Sequence, residues 1–263
     1  VLLLGDAALV LKDFNDGCIS LTVTSPPYDN LRTYGGYSFD FETIAKELYR
    51  LTANGGVVVW IVGDITNDGD ESGTSFKQAL YFKELGFRLH DTMIYYKTFQ
   101  SKPEYARYVQ CFDYMFILSK GKPNTFNGIK DKINNYAGSK VKITDRNSNG
   151  TPKPPKYVTV QNFSFRHNVW TISYPFTQGV ADKLPMDHPA VMPEQLAQDH
   201  IKSWSNEGDL ILDPFAGSGT TLKAAQQLNR KWIGIEINPD YIALTKKRLT
   251  PYIQQQRLEQ YIQ

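Results

Sequence analysis

The stretch LILDPFAGSGTT (residues 210–221) decides how this chain is read. Its three leading apolar residues suit a short buried strand that stops at Asp213 and Pro214. A turn built around Gly217 and Gly219 follows, and then a helical run over 222–228. Without a Cβ, such glycines let the backbone turn sharply and approach a ligand closely. The helix that starts there offers N–H groups to a carboxylate or phosphate. The loop lacks the lysine of a phosphate-binding P-loop and the third glycine of the dinucleotide fingerprint. The next strand, 232–235, ends in Glu236, where an acid takes ribose hydroxyls in open parallel sheets. Taken singly, a glycine turn or a strand-end acid is as often structural; together, roughly 20 residues apart, they point to a nucleoside-bearing ligand.

Working outward, strands and helices alternate on both sides of this stretch. ISLTVT, Ile19–Thr24, is rich in β-formers and ends at Ser25-Pro26-Pro27, because two prolines cannot continue a central ladder. Ile44, Leu48 and Leu51 share one face of a helix over Phe41–Leu51, which Asn54-Gly55-Gly56 closes. VVVWIV (57–62) predicts a buried strand, 75–85 a helix, and 87–97 and 111–118 two more strands. Helices are expected over 193–204 and 239–249. The alternation argues for a doubly wound, mostly parallel α/β sheet with helices on both faces. The catalytic and cofactor-binding domain is expected over 1–121 and 169–263. Between them, 122–168 is basic, rich in Asn, Gly, Ser and Pro and without sustained period, and is read as an inserted module or long ordered loop.

Composition sets broad limits. With 263 residues and 41% hydrophobic content the chain can bury a sizeable core, in one domain or two. A net charge of only +2 does not point to nucleic acid, so the distribution of charge must carry that case. Cys18 and Cys111 form no CxxC, which gives no zinc site and no disulfide framework; both are expected as buried, reduced thiols. The apolar opening of residues 1–4 is too short for a signal peptide or a membrane span. No metal is expected.

TSPPY (24–28) carries a second chemistry. An exocyclic base amine is a poor nucleophile because its lone pair is delocalised into the ring. Two acceptors, Ser25 Oγ and a backbone carbonyl of Pro26 or Pro27, can take its two N–H bonds and favour a tetrahedral nitrogen. Proline fixes the backbone, so that carbonyl is preorganised. Tyr28 offers a ring face on which a flipped base can stack. In-line transfer of a methyl group then requires mostly positioning.

TSPPY and DPFAGSGTT (213–221) together resemble the amino-methyltransferases of bacterial DNA. The order, catalytic motif before cofactor motif, resembles their β group. The resemblance implies a Rossmann-like methyltransferase fold with a basic target-recognition insert at 122–168, and S-adenosylmethionine as cofactor. It assigns catalysis to Ser25, Pro26, Pro27 and Tyr28. It assigns cofactor binding to Asp6, His188, Pro189, Asp213, Phe215, Gly217, Ser218, Gly219, Thr220 and Glu236. Ala190 and Met192 stand where the family often has Thr and Lys, so those two contacts do not carry over. Ser at the head of the tetrapeptide resembles the cytosine-N4 branch; Asp or Asn there is typical of adenine N6, which stays the alternative. A cytosine-C5 enzyme needs a Pro-Cys pair, and neither cysteine follows proline.

The implied partner is double-stranded DNA, held by Arg32, Lys130, Lys132, Lys140, Lys142 and Arg146. A solvated basic loop is the bland alternative for the insert. The resemblance further suggests a cytoplasmic, bacterial or phage-encoded enzyme without membrane contact. A homodimer and a cognate restriction endonuclease are partners it leaves open. Trp60, Tyr95 and Tyr96 read as core, His90, His167 and His200 as structural, and Asp64 as a candidate behind the pocket. Two other classes compete: a DNA-binding module that kept the fold without the chemistry, and an RNA or protein methyltransferase, which the motif order disfavours.

Overall fold

The computed structural model describes residues 1–27, 40–98, 106–173 and 192–259. The chain divides into a larger unit, Val1–Asn127 with Asn168–Gln263, and a smaller one, Gly128–His167. Residues 122–127 are tied to the larger unit: Asn124 Nδ2 donates to Asn54 O at 2.7 Å, and Asn127 N to Ser203 O at 2.8 Å.

The larger unit holds ten of the strands: β1 (Leu2–Leu4), β2 (Ile19–Thr24), β3 (Thr52–Val62), β4 (Thr66–Asn67), β5 (Asp70–Glu71), β6 (Arg88–Lys97), β7 (Phe112–Ser119), then β12 (Val169–Ile172), β13 (Leu210–Asp213) and β14 (Lys231–Glu236). Its helices are α1 (Ala7–Val10), α2 (Phe41–Leu51), α3 (Thr74–Glu84), α4 (Glu194–Trp204), α5 (Thr220–Gln227) and α6 (Pro239–Glu259). Eight strands form one sheet in the order β1-β14-β13-β2-β3-β7-β6-β12. Only β7 pairs antiparallel to its neighbours, β3 and β6. This is the doubly wound, mostly parallel sheet that the alternation predicts.

Strand β3 shows how the sheet is buried on both faces. Val58, Trp60 and Val62 point into one core with Ile44, Ala45, Leu48 and Leu51 of α2 and Ala79 and Phe82 of α3. Val57, Val59 and Ile61 point into the other, with Leu196, Ala197 and Ile201 of α4 and Ala224 and Ala225 of α5. Period 2 along the strand thus feeds two helical layers. Phe82, fully buried, meets Trp60, Phe41 and Phe87 edge-on, at ring separations of 5.1, 5.4 and 5.7 Å.

Several expectations change. Helix α6 does not stop at residue 249 but runs through Pro251; a helical proline removes one backbone donor, which a long helix tolerates with a local bend. Tyr96 is only partly buried, because β6 alternates and its neighbour Tyr95 takes the inward position. Cys18 and Cys111 are free thiols but only half-buried, each just outside a strand. Asp64 accepts from Ser75 N at 2.8 Å and from the hydroxyls of Ser72 and Ser75, so it anchors the start of α3. In keeping with their reading as structural, His200 is buried against Trp170 at 4.5 Å, and His90 stands edge-on to Trp204.

The smaller unit is a β-ribbon rather than a loop. β8 (Lys130–Ile133) pairs antiparallel with β11 (Phe163–Phe165), and β9 (Lys140–Ile143) with β10 (Lys156–Thr159). Among the described residues no helix is long and apolar enough to cross a membrane. Replacing Phe82 with Ala is expected to destabilise the protein by about 3–5 kcal/mol, the usual cost of emptying a packed aromatic site. Urea unfolding measures it; a loss below about 1 kcal/mol would contradict this packing.

Candidate active site

The sheet itself locates a crevice. From β2 the chain passes through α2 to β3 on one side, and from β13 through α5 to β14 on the other. β13 and β2 are parallel neighbours, so the connections diverge between them. A crevice opens at the carboxyl ends of strands that diverge in this way, and ligands of open α/β sheets bind there. Both sequence motifs emerge at that point: residues 25–27 leave β2, and residues 214–219 leave β13.

The two motifs are joined directly. Thr24 Oγ1 donates to Asp213 Oδ1 at 2.7 Å in a buried setting. The Thr221 hydroxyl sits between the Asp213 carboxylate and the carbonyl of Val23, 3.2 Å from the latter. Asp213 also accepts from Phe215 N at 3.1 Å, which turns the chain out of β13. Ser25 and Pro27 are partly exposed at the tip, and Pro26 is buried.

Glu236 holds the other side of the glycine loop. One carboxylate oxygen accepts from Gly217 N and the other from Asn238 N, both at 2.8 Å. At the end of the next strand Gly5 N donates to Glu236 O, and the following Asp6 accepts from Ala8 N at 2.9 Å, capping α1. Asp213, Glu236 and Asp6 therefore stand at or just past the carboxyl ends of three adjacent strands, β13, β14 and β1. Burial, helped by nearby Glu236, raises the Asp213 carboxyl to about 6, against the hydrogen bonds from Thr24, Thr221 and Phe215. Burial also raises Glu236, opposed by N–H donors of the loop.

Helix α6 supplies residues that the sequence motifs did not reveal. Arg248, buried, donates from Nη1 to Ser218 O and Thr220 Oγ1, each at 2.9 Å. Thr245 Oγ1 donates to Gly217 O at 2.8 Å. Gly219 sits at φ +77, and a Cβ there would lie 2.5 Å from Thr245 Cγ2. The second glycine is thus required by the packing of α6 as well as by the turn. The hydroxyls of Ser218 and Thr220 face Arg248, and Phe215 packs edge-on against Trp60 at 6.4 Å. Behind the loop, Lys223 Nζ donates to Glu194 at 2.7 Å and lies over the Tyr252 ring. The buried polar partners on α6 carry no local motif, since Thr245 and Arg248 read as ordinary helical residues. Tyr28, Arg32, His188 and Pro189 lie outside the described residues.

In the smaller unit, Lys130 stacks over Phe165 at 5.0 Å and Lys132 Nζ lies 2.6 Å from His167 Nε2. Arg146 donates to Gly150 O, and Lys140 and Lys142 are exposed on β9. Among the described residues there is no group of three acidic, histidine or cysteine side chains that could hold a metal.

Comparison with known proteins gives a consistent assignment. The family model N6_N4_Mtase, DNA methylase, matches residues 19–247. The orphan methyltransferase M.BamHII of Bacillus amyloliquefaciens is 53% identical over 245 residues, covering 92% of each chain. TTHA0409 of Thermus thermophilus, described as a DNA modification methylase and solved with S-adenosyl-L-methionine, superimposes with a TM-score of 0.64. It is 26% identical, over 95% of this chain and 93% of that one. The cytosine-N4-specific PvuII DNA methyltransferase shares the fold, with a TM-score of 0.67 at 21% identity, over 94% of this chain and 85% of that one.

Two measurements test the site. As pH rises from about 4 to 6, the unfolded Asp213 loses its proton while the folded one keeps it, so wild-type stability falls across that window. In Asp213→Asn this contribution is absent, and its advantage over wild type should grow by up to about 3 kcal/mol between pH 4 and 7. Parallel pH–stability curves would contradict the buried charge. In Arg248→Met the loop loses its support, and affinity for S-adenosylmethionine by calorimetry should fall roughly tenfold, the effect of losing about 1.4 kcal/mol of preorganisation; unchanged affinity would show that α6 does not shape the loop.

Proposed function

Since this chain belongs to the family of S-adenosylmethionine-dependent DNA amino-methyltransferases, we propose that it methylates the N4 amine of cytosine in duplex DNA. Ser25 at the head of the 25–28 tetrapeptide carries the choice of base. Adenine N6 is the alternative, and its enzymes typically hold Asp or Asn at that place. The chemistry of the crevice suits the cofactor. A ligand bearing a sulfonium and an ammonium meets the carboxylates of Asp213, Glu236 and Asp6, and burial of the first two favours a positive neighbour.

Roles follow residue by residue. Asp213, Phe215, Gly217, Ser218, Gly219 and Thr220 form the loop against which the cofactor rests, with Asp6, His188 and Pro189 completing its site. Glu236 holds the loop through Gly217 N and keeps lone pairs for ribose hydroxyls. The bound cofactor supplies an activated methyl group on sulfur. Ser25 Oγ and a carbonyl of Pro26 or Pro27 accept the two N–H bonds of the target amine and turn its lone pair outward. Tyr28 stacks on the base, which is flipped out of the duplex to reach the crevice. The Thr24–Asp213 bond supports this division of labour, because it links the amine-binding tip to the cofactor loop.

Arg32, Lys130, Lys132, Lys140, Lys142 and Arg146 are the proposed DNA contacts. A cognate endonuclease is the partner the motif pattern raises; the orphan name of the 53%-identical relative speaks for an enzyme acting without one.

Nucleosides from unmethylated duplex DNA treated with the protein and S-adenosylmethionine should contain N4-methylcytosine by mass spectrometry. N6-methyladenine alone would overturn the choice of base. Cofactor binding with no methylated nucleoside would overturn the enzymatic reading. Tyr28→Ala should lower the yield on the order of 100-fold, as expected from misplacing the acceptor.

A further inference from the structure

We propose that one side of the distal hairpin β9–β10, the side carrying Lys140, Lys142, Tyr157 and Thr159, enters the major groove of duplex DNA and reads base edges there. The proposal rests on DNA being the substrate, as above. It adds the surface and the residues that select the sequence.

The pairing of the two strands sets the sides. Tyr157 lies opposite Lys142, Thr159 opposite Lys140, Val158 opposite Val141, and Lys156 opposite Ile143. In an antiparallel pair, residues directly opposite project from the same side, and successive residues alternate. One side therefore presents two ammonium groups and two hydroxyls in crossed pairs. The other presents Val141, Val158 and Ile143 with Lys156. Tyr157 is 68% exposed, whereas Val141 and Val158, which cover each other, are 37% and 40% exposed. An isolated hairpin is marginal in water, so the apolar side serves cohesion and the polar side is available for contact.

Charge favours the same side, two lysines to one. Residues 128–167 hold eight lysines and arginines against two aspartates, a surplus of six positive charges in a chain whose net charge is +2. Both aspartates are already engaged within the unit, Asp131 by Arg166 and Asp145 by Lys153. Lys130 and Lys132 are occupied by Phe165 and His167. Among the described residues, three lysines of the hairpin make no side-chain ion pair or hydrogen bond: Lys156 on the apolar side, and Lys140 and Lys142 on the polar side. The latter two stand two residues apart on one strand, roughly 7 Å.

A two-stranded ribbon fits the roughly 12 Å width of the major groove. Lysine donates only, which suits guanine O6 and N7 or phosphate oxygens. Thr159 and Tyr157 donate and accept, and the threonine methyl can meet a thymine methyl. This set favours a mixed readout over contact with phosphates alone.

The test measures methylation across a library of duplexes with randomised sites, read by sequencing, together with the dependence of DNA affinity on salt. Lys142→Ala, Tyr157→Ala and Thr159→Val should each lower discrimination against single-base variants of the preferred site by about tenfold. Lys140→Ala should reduce the slope of log affinity against log salt by about one. Val141→Thr and Val158→Thr, checked for an unchanged melting temperature, should alter neither. If wild type methylates DNA and the polar-side variants keep full discrimination, the base-reading role falls while the methyltransferase reading stands. The base-reading role falls equally if only the salt slope changes, or if substitutions on both sides matter alike. If wild type binds the cofactor but methylates no DNA, the functional reading itself fails.

Discussion

One hydrogen bond, from Thr24 Oγ1 to the buried Asp213 carboxylate, ties together the ends of the two strands from which the chain departs in opposite directions. The topology brings β2 and β13 side by side, but parallel pairing alone fixes only backbone register. The bond, with Thr221 reaching Val23 from the following helix, couples the outgoing loops themselves. A carboxylate at this depth is costly, as its rise to about 6 records. It is kept where three donors converge on it, so its position is determined from several directions at once.

Much of this was legible in the sequence, for identifiable reasons. Strands β3 and β13 are dense apolar runs bounded by glycine or aspartate, and α2 carries its apolar residues on a clean helical period; such signals survive without knowledge of the neighbours. The glycine loop and the Ser-Pro-Pro tip are visible because each needs unusual residues in a fixed order. Other features depended on contacts distant in sequence. Nothing local marks Arg248 or Thr245, which gain meaning only when α6 lies along the loop. The hairpins of residues 128–167 have strands of three or four residues, too short for period 2 to stand out among Asn, Gly and Pro. Asp64 follows β3 directly, and its partners Ser72 and Ser75 tie it to the start of α3. A strand-end acid serves a helix start as readily as a ligand.

Charge is partitioned in this molecule. Since residues 128–167 carry a surplus of six positive charges in a chain of net +2, the remainder is net negative. At the carboxyl ends of consecutive strands that remainder holds Asp6, Asp213 and Glu236. The bulk figure, which by itself does not point to nucleic acid, averages over two opposed populations. On such a chain a cation and a polyanion would each meet a different population of charge.

The ribbon of residues 128–167 leaves and re-enters the chain through one antiparallel pair, with Lys130 opposite Phe165. Its two ends are therefore about 5 Å apart, whatever the length of what lies between them. Segments can be exchanged there as a cassette: a longer or shorter hairpin would graft onto the same two stems without disturbing the register of β7 or β12 on either flank. The ribbon can therefore change in length or sequence between its stems while the eight-stranded sheet keeps its own pairing.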